Sequence, residues 1–271
     1  MNRKTAFVTG GSRGIGRGIV QTLAENGYDV AFTYHSKADE AAALKAEVEK
    51  LGVRCYYYQA TLQEADVPAR VTQQAIADLG RVDVMVCNAG LTVHNKLLTL
   101  TPEEIDFAYD LDYRGYLLCA QVAAKQMIEK EIHGRIIMIS STRGIRAYPE
   151  DPLYGGMKAA LHRAVESLAL ELSQYHITVN CVAPGATAVR GNYTPEELTA
   201  YRFLRKIPAG RQGTPREVAG VVNYLAGDMA DYITGSVIRV DGGLILSAMP
   251  LDGSPEAGPA WSDLPRHMQE K

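Results

Sequence analysis

Short apolar segments alternate along the chain with longer segments in which apolar residues recur every three or four positions. The short segments have the length and the β-branched and aromatic content of buried strands, and the longer ones have the spacing of amphipathic helices. Strands that alternate with such helices predict βαβ units, and hence an α/β fold with a parallel sheet covered on both faces. The predicted strands lie in TAFVTG, YDVAFTY, VRCYYYQA, VDVMVCNAG, GRIIMISS, ITVNCVAPG and GSVIRVDGG. The predicted helices include GRGIVQTLAENG, KADEAAALKAEVEKLG, ADVPARVTQQAIADLG, YGGMKAALHRAVESLALELSQ and TPREVAGVVNYLAGD.

This alternation ends near residue 244, where the sequence gains Pro, Gly and Ser. We therefore expect one domain over residues 1–243 and an irregular C-terminal extension over residues 244–271. A second interpretation is that Met249, Leu251 and Trp261 pack over a neighbouring subunit or over the mouth of the site, because apolar side chains in a tail tend to be buried.

Composition and charge narrow the functional class. The 271 residues are 46% hydrophobic, which suits one substantial core. The net charge of −3 gives no bulk attraction to nucleic acid or to an anionic membrane. No apolar run approaches the roughly 20 residues that span a bilayer, and the N-terminal sequence lacks the pattern of a signal peptide. We therefore expect a cytoplasmic protein that binds a small molecule.

The four cysteines are widely spaced, and we interpret them as reduced packing residues with no metal site.

A glycine-rich turn, VTGGSRGIGRGI, follows the first predicted strand and opens a helix. Its glycines let the backbone approach a pyrophosphate, whose charge the free N–H groups of a helix N-terminus would meet. A structural turn without a ligand stays open, because the spacing differs slightly from G-x-G-x-x-G. The letters GGSRG also match the nucleophile elbow of hydrolases, but only one strand precedes this serine, and that fold needs an earlier strand and loop. The predicted dinucleotide contacts here are Gly10, Ser12, Arg13, Gly14, Ile15 and Gly16.

The end of the second predicted strand bears on the choice of cofactor. An acidic residue in this region would hold the ribose 2′-hydroxyl of NAD. The chain instead has Tyr34, His35, Ser36 and Lys37. Together with Arg13, these residues offer cationic and hydroxyl partners to a 2′-phosphate. NADP(H) is therefore predicted in preference to NAD(H). If Lys37 and Arg13 are only solvated and contact no phosphate, NAD(H) stays an alternative.

Tyr154 and Lys158 lie four positions apart on a predicted helix, so a phenol and an ammonium can point into one cleft. Such a pair is common on helix surfaces and needs its context. That context is a series of motifs in one order along residues 4–243. They are TGGSRGIG (9–16), NAG (88–90), ISSTRG (139–144), YGGMK (154–158), PG (184–185) and YITGSVIRVDGG (232–243).

In this order the motifs resemble those of the short-chain dehydrogenase/reductase family. The resemblance implies a Rossmann-type, doubly wound parallel sheet of about seven strands. It also implies an oxidoreductase that interconverts a secondary alcohol and a ketone with a nicotinamide dinucleotide. The chain looks most similar to 3-oxoacyl carrier-protein reductases and glucose dehydrogenase-like members. In the family the helix of Tyr154 helps to build an oligomer, so a homotetramer or a homodimer is expected.

The resemblance also implies the roles of individual residues. Tyr154 would act as the general acid/base, and Ser141 would polarise the substrate oxygen. Lys158 would hold the nicotinamide ribose and favour the phenolate form of Tyr154. Ser140 competes with Ser141, but Ser141 has the family spacing to the tyrosine, and the hydroxyl of Ser140 can be satisfied by local backbone. Further cofactor contacts are implied at Asn88, Ala89, Gly90, Pro184 and Gly185, and a purely structural turn is the alternative for Asn88–Gly90.

The sequence departs from the family pattern at one catalytic position. Asp112 stands where the family has an asparagine that holds a water linked to Lys158. A carboxylate near Lys158 would stabilise the ammonium, so we predict that Asp112 preserves activity but changes its pH dependence. The alternative is a solvent-exposed aspartate on a helix.

Two further departures concern the cofactor. Thr61 and Leu62 replace the usual Asp-Val at the adenine, and a hydroxyl is the weaker acceptor. Thr187 and Val189 stand where isoleucine and threonine are usual, so that only Thr187 can bond the carboxamide through a side chain.

The substrate walls are expected from residues 91–97, 142–148 and a lid over 189–210. A second hypothesis is a dinucleotide-binding sensor or scaffold without turnover.

Overall fold

The computed structural model describes residues 3–190, 193–200 and 206–246. One sheet of seven parallel strands, in the order β3-β2-β1-β4-β5-β6-β7, forms the centre of this part of the chain. The predicted α/β fold of seven strands is confirmed. The strands are β1 (Thr5–Val8), β2 (Asp29–Tyr34), β3 (Cys55–Gln59), β4 (Val84–Cys87), β5 (Arg135–Ile139), β6 (Thr178–Pro184) and β7 (Val237–Val240).

Helices connect the strands and cover both faces of the sheet. A turn of π-helix over Asp110–Arg114 joins α4 to α5 without a break in the chain direction. No helix among the described residues is both long enough and apolar enough to cross a membrane. The α-helices are α1 (Gly14–Glu25), α2 (Ala38–Glu49), α3 (Val67–Leu79), α4 (Pro102–Tyr109), α5 (Gly115–Glu129), α6 (Pro152–Leu172), α7 (Pro195–Thr199) and α8 (Pro215–Ala226).

The core consists of two apolar layers, one on each face of the sheet. Alternate residues of each strand enter opposite layers, so Met85 and Met138 lie in one layer while Val86 and Ile137 lie in the other. Because both faces are buried, the strands are apolar throughout rather than alternating. The four cysteines are buried and form no disulfide.

The strand order reverses between β1 and β4, which are neighbours in the sheet. In open parallel sheets, ligands bind outside the carboxyl ends of the strands at such a switch point. The glycine-rich turn follows β1, Asn88–Gly90 follows β4, and Ser140–Gly144 follows β5. The fold therefore brings the predicted motifs to one edge of the sheet. The predicted tail beyond residue 246 lies outside the described residues.

Candidate active site

Close packing of backbone shapes the glycine-rich turn. Gly10 and Gly14 have positive φ values of 66° and 53°, which side chains disfavour. A Cβ atom on Gly16 would lie 2.1 Å from the carbonyl oxygen of Gly10. The N–H of Gly10 donates to Thr33 Oγ1 at 2.8 Å, which ties the turn to the end of β2. Only glycine fits at these positions, and the backbone stays open to a ligand.

Asn88 fastens this turn to the end of β4. Its side-chain amide donates to the carbonyls of Thr9 at 2.9 Å and Gly10 at 3.1 Å. In return, Thr9 Oγ1 accepts from the N–H groups of Asn88 and Ala89 at 2.9 and 3.0 Å. The predicted structural role of Asn88 is therefore visible in these hydrogen bonds, and its predicted contact with adenosine stays a prediction.

The surroundings of the turn fit a dinucleotide phosphate. No side chain caps the N-terminus of α1, and its first turn carries no acidic residue, so its N–H groups are free to meet an anion. Arg13 and Lys37 are exposed, and neither pairs with a carboxylate in the described parts of the chain. Ser12, the candidate nucleophile of a hydrolase, has no histidine hydrogen-bonded to it there.

Gly16→Ala is expected to weaken dinucleotide binding at least about tenfold, because the new methyl group overlaps backbone that cannot move away. Titration of NADPH fluorescence would measure the dissociation constant. Gly220→Ala is the control, since nothing lies within 4 Å of a Cβ at that position of α8. Equal affinities for the two variants would contradict the placement of the cofactor on this turn.

Lys158 is buried beneath the candidate site, with 2% of its surface exposed. Its Nζ atom donates to Tyr116 Oη at 3.2 Å and to the carbonyl of Ile139 at 3.3 Å. It also forms an ion pair with Asp112 Oδ1 at 3.0 Å. Burial by itself lowers the pKa of Lys158, but Tyr116, Asp112 and Tyr154 raise it, and the net pKa lies above the usual lysine value. Lys158 is therefore an ammonium at neutral pH.

Asp112 is wholly buried, so the alternative of an exposed aspartate is wrong. The π-helical turn between α4 and α5 carries it, a feature often found at functional sites. Its Oδ2 atom accepts from the N–H of Leu91 at 3.4 Å. A Cβ on Gly90 would lie 2.3 Å from Oδ1, so a glycine at that position makes room for the carboxylate.

Tyr154 is half-buried in the first turn of α6, one turn before Lys158. The Nζ atom of Lys158 lies 5.4 Å from the centre of the Tyr154 ring. The predicted common face is therefore present, and a positive charge lies beside the phenol.

The two candidate serines differ in their hydrogen bonds. Ser140 Oγ lies 2.5 Å from Nε2 of His162 and donates to the carbonyl of Lys158 at 3.2 Å. Ser141 Oγ accepts from the N–H of Arg143 at 3.2 Å, and its hydroxyl hydrogen has no acceptor among residues 3–190, 193–200 and 206–246. Ser140 is thus bound within the protein, whereas Ser141 keeps a free donor.

Comparisons with known proteins place the chain in a family. A family model described as "Enoyl-(Acyl carrier protein) reductase" matches residues 10–245. The chain belongs to the short-chain dehydrogenase/reductase family. It is 37% identical over 243 residues to 3-oxoacyl-(acyl-carrier-protein) reductase FabG of Staphylococcus aureus, covering 90% of this chain and 98% of that one.

Solved structures of this family superimpose closely on the chain. Acetoin dehydrogenase from Enterobacter cloacae gives a TM-score of 0.85 at 35% identity, covering 96% of this chain and 99% of that one. A blue fluorescent protein from a metagenomic library, in complex with NADPH, gives a TM-score of 0.82 at 36% identity, covering 90% and 98%. The expected resemblance to short-chain dehydrogenase/reductases is confirmed.

The remaining predicted cofactor residues lie at the same edge of the sheet. They differ in which of their atoms are left to bind a cofactor. Leu62 packs into the apolar core, so only its backbone is available to an adenine, while Thr61 is half-buried.

The loop after β6 is closely packed. Pro184 is buried at the end of β6, and a Cβ on Gly185 would lie 2.6 Å from Cβ of Asp241, so that a side chain there would overlap Asp241. Thr187 Oγ1 donates to the carbonyl of Gly185 at 3.3 Å, so its hydroxyl bonds its own loop. On the other side of the switch point, Tyr34 ends β2, and His35 and Ser36 form the turn after it.

A cavity of about 510 Å³ opens beside the first turns of α6. Two of the three predicted substrate walls contribute to it. Leu97 belongs to residues 91–97, and the loop over residues 142–148 supplies Arg143, Ile145 and Tyr148 among others. Residues 191–192 and 201–205 of the predicted lid lie outside the described residues. The lining includes Leu97, Arg143, Ile145, Tyr148, Asp151 and Gly155.

Three of the groups around this site were not predicted from the sequence. Tyr116 contacts Lys158, His162 contacts Ser140, and Asp151 lines the cavity. Spacing offered a signal for His162, which is four residues after Lys158 on the same helix. Tyr116 carried no signal, because a tyrosine at the start of an apolar helix reads as a packing residue.

Proposed function

We propose that the protein is an NADP(H)-dependent oxidoreductase that interconverts a secondary alcohol and a ketone. The position of Lys158 carries this proposal: its buried ammonium lies 5.4 Å from the ring centre of Tyr154, so that a positive charge faces the phenol. A phenol held in this way gives a proton to the oxygen of a ketone and takes one from an alcohol. The bound cofactor would supply or accept the hydride.

Ser141 supports the proposal as a second hydrogen-bond donor to the substrate oxygen. Because its Oγ atom accepts from Arg143 N–H, the hydroxyl is oriented while its own hydrogen is uncommitted. Such a donor stabilises the negative charge that develops on the oxygen during hydride transfer. The names of the two relatives, a 3-oxoacyl reductase and an acetoin dehydrogenase, both describe chemistry between carbonyl and alcohol.

The preference for NADP(H) is supported by charge at the ribose end of the site. Arg13 and Lys37 are exposed cations without carboxylate partners in the described part, and no carboxylate follows directly at the end of β2. A structural neighbour binds NADPH. Self-association as a homotetramer or homodimer stays part of the proposal, and the exposed Leu170 on α6 is apolar surface that a subunit contact would cover.

The test is absorbance of the reduced nicotinamide with NADPH or NADH and a panel of ketones, β-ketoesters, sugars and steroids. We expect faster oxidation of NADPH than of NADH, and an approximately 100-fold loss of turnover in Tyr154→Phe, the lower range for loss of a general acid. Tyr232→Phe is the control, because that side chain is fully exposed. Turnover unchanged in Tyr154→Phe would contradict the mechanism. Binding of NADPH without turnover of any compound would favour the sensor instead.

A further inference from the structure

The ammonium of Lys158 is shared between one charged acceptor and two neutral ones. Its Nζ atom lies 3.0 Å from Asp112 Oδ1, but this contact is not aligned as a hydrogen bond. The aligned hydrogen bonds go to Tyr116 Oη, at 3.2 Å, and to the carbonyl of Ile139, at 3.3 Å. A carboxylate attracts an ammonium more strongly than a hydroxyl or a carbonyl does. The two neutral acceptors therefore hold the ammonium in an orientation that Asp112 alone would not give it.

The hydroxyl of Tyr116 is itself fixed in place. It donates to the carbonyl of Ile139 at 3.0 Å, and the same oxygen atom accepts from Lys158. Tyr116 lies in the first turn of α5 and is 2% exposed, with its ring in one apolar layer of the core. Burial raises the pKa of its phenol, so the hydroxyl keeps its proton at neutral pH. Tyr116 therefore offers Lys158 a neutral acceptor that cannot turn away.

Three further titratable groups near Lys158 carry no charge at neutral pH. Cys87 on β4 and Cys181 on β6 are buried, and burial raises the pKa of both thiols. His162, one turn after Lys158 on α6, is half-buried, and burial lowers its pKa below the usual histidine value. The negative charge that competes with Tyr116 for the ammonium is therefore that of Asp112.

We propose that Tyr116 is a positioning residue of the active site, which holds the Lys158 ammonium against the attraction of Asp112 and so keeps its positive charge beside Tyr154. The ammonium lies 5.4 Å from the ring centre of Tyr154. Without the Tyr116 hydroxyl it loses an aligned acceptor and moves toward the carboxylate, so less positive charge reaches the phenol. Tyr116 and Asp112 thus act in opposite directions on one charge. The kinetic consequence rests on the proposed function.

The kinetic experiment follows the pH dependence of oxidation by NADP of 2-butanol, 2,3-butanediol and ethyl 3-hydroxybutyrate. For the alcohol that is oxidised fastest, we expect Tyr116→Phe to lower kcat at least about fivefold and to move the acid limb of the profile up by about half a pH unit. The upward movement should be absent when Tyr116→Phe is added to Asp112→Asn, because the carboxylate that attracts the ammonium is then gone.

Tyr116→Phe is a mild change for the fold. The ring stays in the core, and the carbonyl of Ile139 still accepts from Lys158. Tyr28→Phe is the matched control, because it also removes a buried hydroxyl that donates to a backbone carbonyl. Tyr28 makes no contact with Lys158 in the described part of the chain, so its profile should overlay that of the parent.

Urea denaturation supplies a second measurement that needs no turnover. Two acceptors that compete for one ammonium compensate for each other, so Tyr116→Phe should lower the urea midpoint at least about twice as much in the Asp112→Asn background as in the parent. Tyr28→Phe should lower it equally in both backgrounds.

Unequal midpoint shifts for Tyr116→Phe support the positioning role even where no alcohol is oxidised and the proposed function fails. Equal shifts overturn the role. So does an acid limb in Tyr116→Phe that overlays that of the parent, or that moves equally in both backgrounds, and Tyr154-dependent turnover then leaves the proposed function standing. Equal shifts without any turnover overturn both.

Discussion

Lys158→Met is expected to lower the free energy of unfolding by about 3–5 kcal/mol, because it leaves a buried carboxylate unpaired. It is also expected to remove activity, because the ammonium beside Tyr154 is lost. Asp112 is wholly buried and lies 3.0 Å from Lys158 Nζ. Methionine is similar in length and has no charge, so Asp112 would lose its ion pair without a large cavity. Urea denaturation would measure the stability, and NADPH oxidation the activity.

The double variant Lys158→Met/Asp112→Asn separates the two effects. Asparagine has nearly the same shape and can still accept from the N–H of Leu91, but it places no charge in the core. We expect it to regain most of the lost stability, because replacing both members of a buried pair is often close to neutral. Activity should stay absent without the ammonium. A single variant as stable as the parent, or a double variant as unstable as the single one, would contradict this account of the pair.

The sequence was sufficient to predict the sheet because each strand is a short apolar run bounded by turn residues. β5 shows the reason: all five residues of Arg135–Ile139 are buried, and both faces of the sheet are covered. α4 and α5 were not among the predicted helices. α5 is buried at Cys119, Ala120 and Ala123 and has little amphipathic pattern, and a π-helical turn continues α4 into it. Its helical period is thus displaced where the two segments meet.

The candidate site was predictable where one residue follows another at helical spacing. Tyr154 and Lys158 meet because they are one turn apart on α6. Contacts between separate elements were not predictable in the same way. The distance between Arg143 and Asp151 depends on how the loop after β5 returns to α6, and that path is fixed by tertiary packing. Pattern alone specifies faces of elements, whereas packing decides which faces meet.

Asp112→Asn is expected to preserve turnover and to move the pH dependence of alcohol oxidation to lower pH. The carboxylate offsets part of the positive charge that Lys158 places beside Tyr154, since it lies 3.0 Å from Lys158 Nζ. Without that negative charge the phenol experiences a more positive field. The acid limb of the pH–rate profile for a secondary alcohol and NADP should therefore move down by about one pH unit.

The stability of Asp112→Asn relative to the parent should also depend on pH. Burial lowers the pKa of Lys158, but Tyr116 and Asp112 raise it above its usual value of 10.5. A raised pKa stabilises the folded state, fully so below the usual value, and this stabilisation is lost as pH rises through the folded pKa. Loss of Asp112 lowers the Lys158 pKa, so the variant should be less stable than the parent at neutral pH. The difference should narrow in alkaline solution, which urea denaturation at both conditions would show.

Asp110→Asn is the matched control for the pH profile. Asp110 lies in the same π-helical turn but pairs with Arg114 at 2.6 Å, so it does not touch Lys158. Its profile should overlay that of the parent. If the profile of Asp112→Asn overlays it too, the charge of Asp112 has no influence on the phenol. A move of the acid limb to higher pH would mean that Asp112 acts on Tyr154 through a route other than direct compensation of the Lys158 charge.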